Sequence, residues 1–501
     1  MTQHETIPRH RGLIVASIML ATTLYALDWT IVVVAFPHMK GIFGATEDQI
    51  AWAVTCYVVA SAVAMPTAGW ASRRFGRKAC MLFSMAGFTI SSLFCGLADS
   101  LAFEVVARTI QGFTGGFVVP LSVPIILDSY PRKEHARALA IWSVGAFAGS
   151  FLGPVLGGYL VQYLSWRWVF YINIPIGILS FLGLLFFMSE TTKEPKAKLD
   201  WFGFLTLSIG VGALQIMADR GHRLDWFEST EIIVEALVAG LALYLFFMHA
   251  ISTREPFLNP RILYIRQFRI GMMLMGFYGI LQTPVLVVMP VFLEDLIGYP
   301  VDLVGLLQMP RGIGLVISLL IAGRLSGKVD ARILMGFGFS LLAISNYEMS
   351  HWSLDVTEWK IIWTGLLQGV GGAFIMLPTQ EIAFYGSSPD KRTEASAIMN
   401  LIRSMCSSLG VSITLVVYFI SNGISRADLI PNITWYSQMI NHTPSTNSRN
   451  QLLAQLEQEV DRQASMLGYD GAFLFLTVLS IIPIVALIMT QKLFVGDQKP
   501  D

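Results

Sequence analysis

Two ionisable residues stand in segments that offer them no water. Asp28 lies in YALDWTIVVVAFP (25–37), after an apolar run from Leu13 and before another that ends at Phe36. Arg108 opens RTIQGFTGGFVVP (108–120) and follows LAFEVVA. A charge deep in hydrocarbon costs about 2.5–3.5 kcal/mol on insertion scales, so each demands a partner or a change of protonation. In general, desolvation favours a neutral carboxyl and a neighbouring cation favours a charged one. An acid whose contact with Arg108 can be made and broken would therefore load and release a proton. A static structural ion pair would satisfy the same two residues. Two more cations, Arg311 and Arg403, fall in apolar segments of the second half, where no acid stands at the same depth. They would attract anionic groups or cap broken backbone.

Other chemistry finds no support. The cysteines Cys56, Cys80, Cys95 and Cys406 sit singly in apolar runs and read as small buried hydrophobes. There is no Ser/His/Asp set, metal cluster or phosphate loop, so the chain does not read as an enzyme. GVGGAF and FTGGF are helix-packing glycines inside apolar segments. Lys plus Arg balance Asp plus Glu at 34 each, which leaves no basic surface for nucleic acid. No cofactor is implied.

The elements that must position these residues are membrane helices. The 501 residues are 54% hydrophobic and 14% charged, with mean hydropathy +0.60, whereas soluble domains carry about 25% charge. A crossing helix needs about 20 apolar residues. Fourteen segments qualify: 13–36, 49–70, 79–98, 101–127, 138–163, 168–188, 200–218, 231–250, 268–293, 301–324, 333–352, 359–380, 394–420 and 470–490. The first reads as an uncleaved signal anchor. With both termini in the cytoplasm, 23 Lys and Arg fall in cytoplasmic segments, 8 outside and 3 within spans (23 + 8 + 3 = 34). That bias fits the positive-inside rule. Asp28 then lies about 22 Å from the cytoplasmic entry and Arg108 about 10 Å from the outer one, at about 1.5 Å per residue. Their depths match to within a few Å, so the two are expected to meet.

The chain repeats itself. RTIQGFTGGFVVP (108–120) aligns with GLLQGVGGAFIMLP (365–378) at an offset of 257, Gln111 over Gln368. GWASRRFGRK (69–78) aligns with GRLSGKVDAR (323–332) at 254. Two six-span bundles follow, with an even-numbered insert between them. The expected organisation is 1–190 for the first bundle, 191–265 for two inserted helices and 266–501 for the second bundle. Parallel six-span repeats are the architecture of a rocking transporter.

These residues carry a family resemblance over essentially the whole chain. GWASRRFGRK resembles the loop motif of the major facilitator superfamily, and RTIQG its span-4 motif. GSFLGPVLGG (149–158) is similar to the motif associated with antiporters. LDWTIVVVAFP and WRWVFYINIPIG (166–177) resemble the fourteen-span drug:proton antiporter branch, and LQIMADRGHRLDWF (214–227) its EmrB subgroup. The loop motif usually has an aspartate where Arg73 stands, so an Asp-based latch is absent here. NLIRSMCSSLG also resembles a family motif, which favours a structural part for Arg403.

The resemblance implies an all-α membrane protein with the major facilitator fold: two six-helix bundles plus two extra central transmembrane helices. Its implied function is proton-coupled efflux of hydrophobic toxic compounds by alternating access, driven by the proton gradient across the inner membrane. The alternatives are a dedicated exporter of one metabolite or siderophore and, more remotely, a transporter-like sensor. Asp28 and Arg108 are the expected coupling pair. Gly149, Gly153, Pro154, Gly157 and Gly158 form a small-residue face on span 5, expected to seal the outer side by sliding against the second bundle, or else to serve plain helix packing with no gating role. Gly69, Arg74, Gly76 and Arg77 belong to a cytoplasmic gating loop in which the cations are expected to reach carboxylates such as Asp128, or merely to obey positive-inside. By depth, a substrate cavity would draw on Trp29, Tyr57, Gln111, Met275, Gln282, Gln308, Arg311, Gln368 and Arg403. For the uncharged ones, packing is the more ready reading than substrate contact. In the long outer segment 421–469, Leu452, Leu453, Leu456, Val460, Ala464 and Leu467 share one helical face. That amphipathic helix would rest on the membrane, cap the bundle, or dock a periplasmic adaptor of the EmrA type with its outer-membrane channel.

Overall fold

A computed structural model describes residues 10–489 apart from 132–133, 192, 196, 225, 254–255, 327, 386–390 and 434–445. Arg9, Arg132, Lys133, Lys196, Arg254, Lys492 and Lys499, counted above for orientation, lie outside the described residues, as do the side chains of Leu452 and Leu453. No strand occurs among the described residues.

The first bundle comprises α1 (Arg11–Phe43), α2 (Glu47–Phe75), α3 (Arg77–Leu97), α4 (Leu101–Gly115) with α5 (Val118–Ser129), α6 (His135–Tyr163), and α7 (Trp168–Tyr171) with α8 (Asn173–Phe187). The insert is α9 (Trp201–Arg220) and α10 (Thr230–Ser252). The second bundle comprises α11 (Arg266–Val291), α12 (Val301–Leu325), α13 (Ala331–Met349), α14 (Glu358–Phe384), α15 (Arg392–Leu429) and α16 (Thr446–Met489). Counting α4/α5 and α7/α8 as one crossing each gives fourteen. Thirteen are long and apolar enough to cross by composition. The fourteenth, α13, carries Asn346 and Glu348 near its end, which dilutes its hydropathy.

Glycines set how closely the crossings approach. A side chain at Gly112 would collide with the backbone carbonyl of Tyr57, and one at Gly116 with that of Ser61, so α4 and α2 touch backbone to backbone. The α4/α5 junction falls at Gly116–Phe117, between these contacts and Pro120. The inserted pair stands beside the bundles. In α9, Asp219 bonds Thr55 of α2, Gln215 bonds Ser408 of α15, and the Ala218 carbonyl accepts from Ser412 at 2.6 Å. Thus α9 braces the α2–α15 seam, while α10 packs on α9 and leaves most of its apolar surface exposed.

The ends of several helices differ from expectation. α1 continues through residue 37 to Phe43 and stops at Gly44, whose φ of 60° is left-handed. The separate amphipathic helix expected in 421–469 is instead the start of α16, a 44-residue helix without interruption. At about 1.5 Å per residue it is about 66 Å long, twice the hydrocarbon thickness. It pairs with the extended end of α15: Arg426 bridges Asp461 at 2.7 Å and Glu457 at 3.6 Å, and Asn422 bonds Ser465 at 3.1 Å. Ala464 is buried and Leu456 and Val460 are half-buried on that seam, whereas Leu467 is exposed. The described middle of the apolar stripe, Leu456, Val460 and Ala464, thus faces a neighbouring helix.

Candidate functional site: a caged carboxylate

Asp28 is wholly buried, and three side chains from two other helices donate to it. Arg108 Nη1 reaches Oδ2 at 2.7 Å, Gln111 Nε2 reaches Oδ1 at 3.0 Å, and Asn173 Nδ2 reaches Oδ1 at 2.7 Å. All three contacts are donors, the pattern a deprotonated carboxylate accepts. Arg108 Nη1 also donates to Gln111 Oε1 at 2.7 Å, and the guanidinium lies over the Tyr57 ring at 4.1 Å. Asn173 is steadied by a second bond to Ser92 Oγ at 3.0 Å. Arg108 is also wholly buried, yet its Nε and Nη2 find no hydrogen-bond partner among the described residues. The depth argument therefore holds: α1 and α4, entering from opposite faces, bring acid and base together. Removing one member of such a pair leaves a dry charge and costs about 3–5 kcal/mol.

Other candidates land differently. Gln111 is part of the cage, and so is Tyr57, the ring beneath the cation; neither is free to line a cavity. Gln368 is also withdrawn: its Nε2 donates to Asn346 of α13 at 2.7 Å, inside the second bundle. Arg311 is buried and donates to the Gln282 carbonyl of α11 at 2.9 Å, so its partner is a backbone group and not an acid. Gln282 and Met275 are buried, whereas Trp29, Gln308 and Arg403 are half-buried. Arg403 makes no hydrogen bond or ion pair among the described residues. Tyr25 of α1 bonds Ser61 of α2 at 2.8 Å.

The small-residue face of α6 requires a correction. Gly149, Gly153 and Gly157 do not meet the second bundle. A side chain there would strike Thr23, Thr30 and Ile31 of α1, within the same bundle. Gly158 has open space around it, and Pro154 lies inside the helix. The face that meets the second bundle is another one: Ala140, Phe151 and Val155 pack over Gly323, Gly312 and Gly305 of α12. The i, i+4 spacing identified a close-packing stripe, but periodicity along one helix cannot say which neighbour fills it. What the stripe does is press α1, and with it Asp28, into the bundle.

The gating loop joins the halves. Arg77 and Arg392 both pair with Asp128, and Arg77 Nε donates to Thr393 at 3.1 Å. Arg73 faces Glu394 at 3.6 Å, and Gly69 packs on the Glu394 backbone. The family's usual acid is thus replaced by a cation whose partner is an acid across the seam. Arg74 reaches the Ala197 carbonyl at 3.5 Å. Gly76, at φ 91°, makes the turn under Glu190. Asn173 and Ser92 were missed from sequence; a lone amide in FYINIPIG deserved the argument given to Asp28.

The family model described as Major Facilitator Superfamily matches residues 18–411. The chain belongs to that superfamily. It is 32% identical over 419 residues to the multidrug export protein EmrB of Escherichia coli K12, covering 83% of this chain and 82% of the relative. It is 31% identical over 477 residues to the fatty acid resistance protein FarB of Neisseria gonorrhoeae, covering 94% of each. Among solved structures, the proton:xylose symporter XylE aligns with a TM-score of 0.64 at 13% identity, covering 96% of each chain. The human organic anion transporter MFSD10 aligns at 0.65 and 14%, covering 95% of this chain and 99% of that one. These two likenesses bear on the fold alone, the fourteen-span major facilitator architecture. The family model and the relatives together make the protein a multi-pass membrane transporter, not an enzyme.

Proposed function

We propose that this protein exports hydrophobic toxic compounds across the inner membrane by alternating access, in exchange for protons that bind Asp28. The observation that carries the reading is the cage: a wholly buried acid held by Arg108, Gln111 and Asn173 from two other helices, with spare donors left on the arginine. Protonation of Asp28 would release Arg108, and its deprotonation would rebuild the pair. Bundle motion that changes water access to the cage would thereby be tied to proton movement. The relatives named as multidrug export proteins support drug-like cargo. With both termini cytoplasmic, the Arg73–Glu394 and Arg77–Asp128–Arg392 contacts close the cytoplasmic side and must part for cargo to enter. The proton gradient supplies the energy, and no bound cofactor is needed. The helical pair formed by α15 and α16 beyond the bilayer is the surface a periplasmic adaptor would grip, linking the pump to an outer-membrane channel.

Expression in a drug-sensitive strain tests this. Resistance to several unrelated hydrophobic drugs, abolished by an uncoupler, is expected. Resistance that survives collapse of the gradient would remove proton coupling.

A further inference from the structure

One acid has no part in the cage and no partner of its own. Glu104 lies on α4, one turn before Arg108, and is wholly buried. Neither carboxyl oxygen has a hydrogen-bond partner among the described residues. Acids in a first turn ordinarily serve the helix N-terminus, but here Ser100 already caps it, with the Phe103 N–H at 3.3 Å from Ser100 Oγ. The charged and titratable groups around Glu104 are Arg108 on its own helix, Asp28 from α1, Cys95 from α3 and Arg167 from the segment before α7. Arg167 bridges exposed Asp99 at 3.1 Å, so Glu104 stands between that rim and the cage. Glu and Arg four residues apart on a helix are within pairing distance, and Arg108 keeps Nε and Nη2 unused.

We propose that Glu104 is the second carboxyl of the coupling site, taking up the proton at the Asp99–Arg167 end and passing it to Asp28 in exchange for Arg108. The inference rests on the antiport reading. The Glu104 carboxyl gives its proton to the Asp28 carboxylate, the Arg108–Asp28 pair breaks, and Arg108 pairs with the Glu104 carboxylate. One acid proton and one ion pair exist before and after, so no net charge is created in a dry site. When Asp28 gives up its proton to the opposite side, Arg108 returns and Glu104 is reprotonated by water from the rim.

The test uses the full chain in proteoliposomes with an imposed pH step and ethidium as probe. Glu104→Gln is expected to slow proton-driven ethidium transport about tenfold or more. It should also remove one ionisation from the dependence of rate on pH at the Glu104 face, while ethidium affinity stays as in the wild type. Glu104→Asp should restore the ionisation and part of the rate. In ethidium-free protein, a carboxylic-acid infrared band should vanish in Glu104→Gln and persist in Asp28→Asn. A wild-type pH profile in Glu104→Gln, whether at normal or reduced rate, overturns the relay and leaves antiport standing. Wild-type transport with no proton dependence overturns both.

Discussion

The two bundles contain the same joint wired for different purposes. In the first, Gly112 of α4 lies against the Tyr57 backbone of α2; in the second, Gly369 of α14 lies against the Arg311 backbone of α12. The repeat offsets make these one contact, since 112 + 257 = 369 and 57 + 254 = 311. Around it the charges have moved. The place of Arg108 is taken by Gly365, and the place of the Tyr57 ring by Arg311. Arg108 meets a carboxylate on the bundle's first helix, whereas Arg311 meets a backbone carbonyl on α11. A carboxylate can take a proton and let its cation go; a carbonyl cannot. The repeat thus supplies a scaffold twice and a titratable partner for its arginine once.

The sharpest way to break that contrast is to neutralise the acid. Asp28→Asn should fold and bind cargo yet lose proton-driven transport entirely, as read by dye efflux from proteoliposomes under a pH step. Undiminished uphill efflux would place the switch elsewhere. Next comes the cation. Arg108→Met strands a dry carboxylate and should cost about 3–5 kcal/mol in detergent unfolding, whereas Arg311→Met strands only a carbonyl and should cost about 1–3 kcal/mol. Equal losses would deny the two arginines different roles.

The corrected packing of α6 gives a smaller effect. Gly153→Val must push α1 away and should cost about 1–3 kcal/mol with reduced transport, while Gly158→Ala, in open space, should stay within about 0.5 kcal/mol of wild type. The smallest effect lies outside the spans. Burial pushes the Asp200 carboxyl up, but hydrogen bonds from the Gly203 N–H, His249 and the Phe257 N–H together outweigh it and hold the group below its ordinary 3.8. A depressed folded value stabilises above the unfolded one and is lost as pH falls through the folded one. Thermal stability should therefore drop below about pH 3.8 in the wild type, and more shallowly in Asp200→Asn.

Much of this was legible without coordinates. Asp28 and Arg108 were found because a charge in an apolar run is costly wherever it folds, and their depths followed from helix rise alone. The fourteen crossings followed from hydropathy, except where a helix outlasts its apolar stretch, as α16 does by running out of the bilayer along α15. Gln111 and Gln368 carried the same motif letter and looked interchangeable. Only their neighbours separate them: Asp28 sits opposite one and Asn346 opposite the other.

What the chain alone determined is which residues could not be left in lipid unpartnered and how deep each lies, since both depend on local composition and a fixed rise per residue. Tertiary structure decided whom each one meets. That the α6 glycines clasp α1, that Asn173 completes the cage and that Glu104 is left unpaired depend on how helices distant in sequence are rotated about their axes. That rotation is set by packing across the whole bundle, which no single segment encodes.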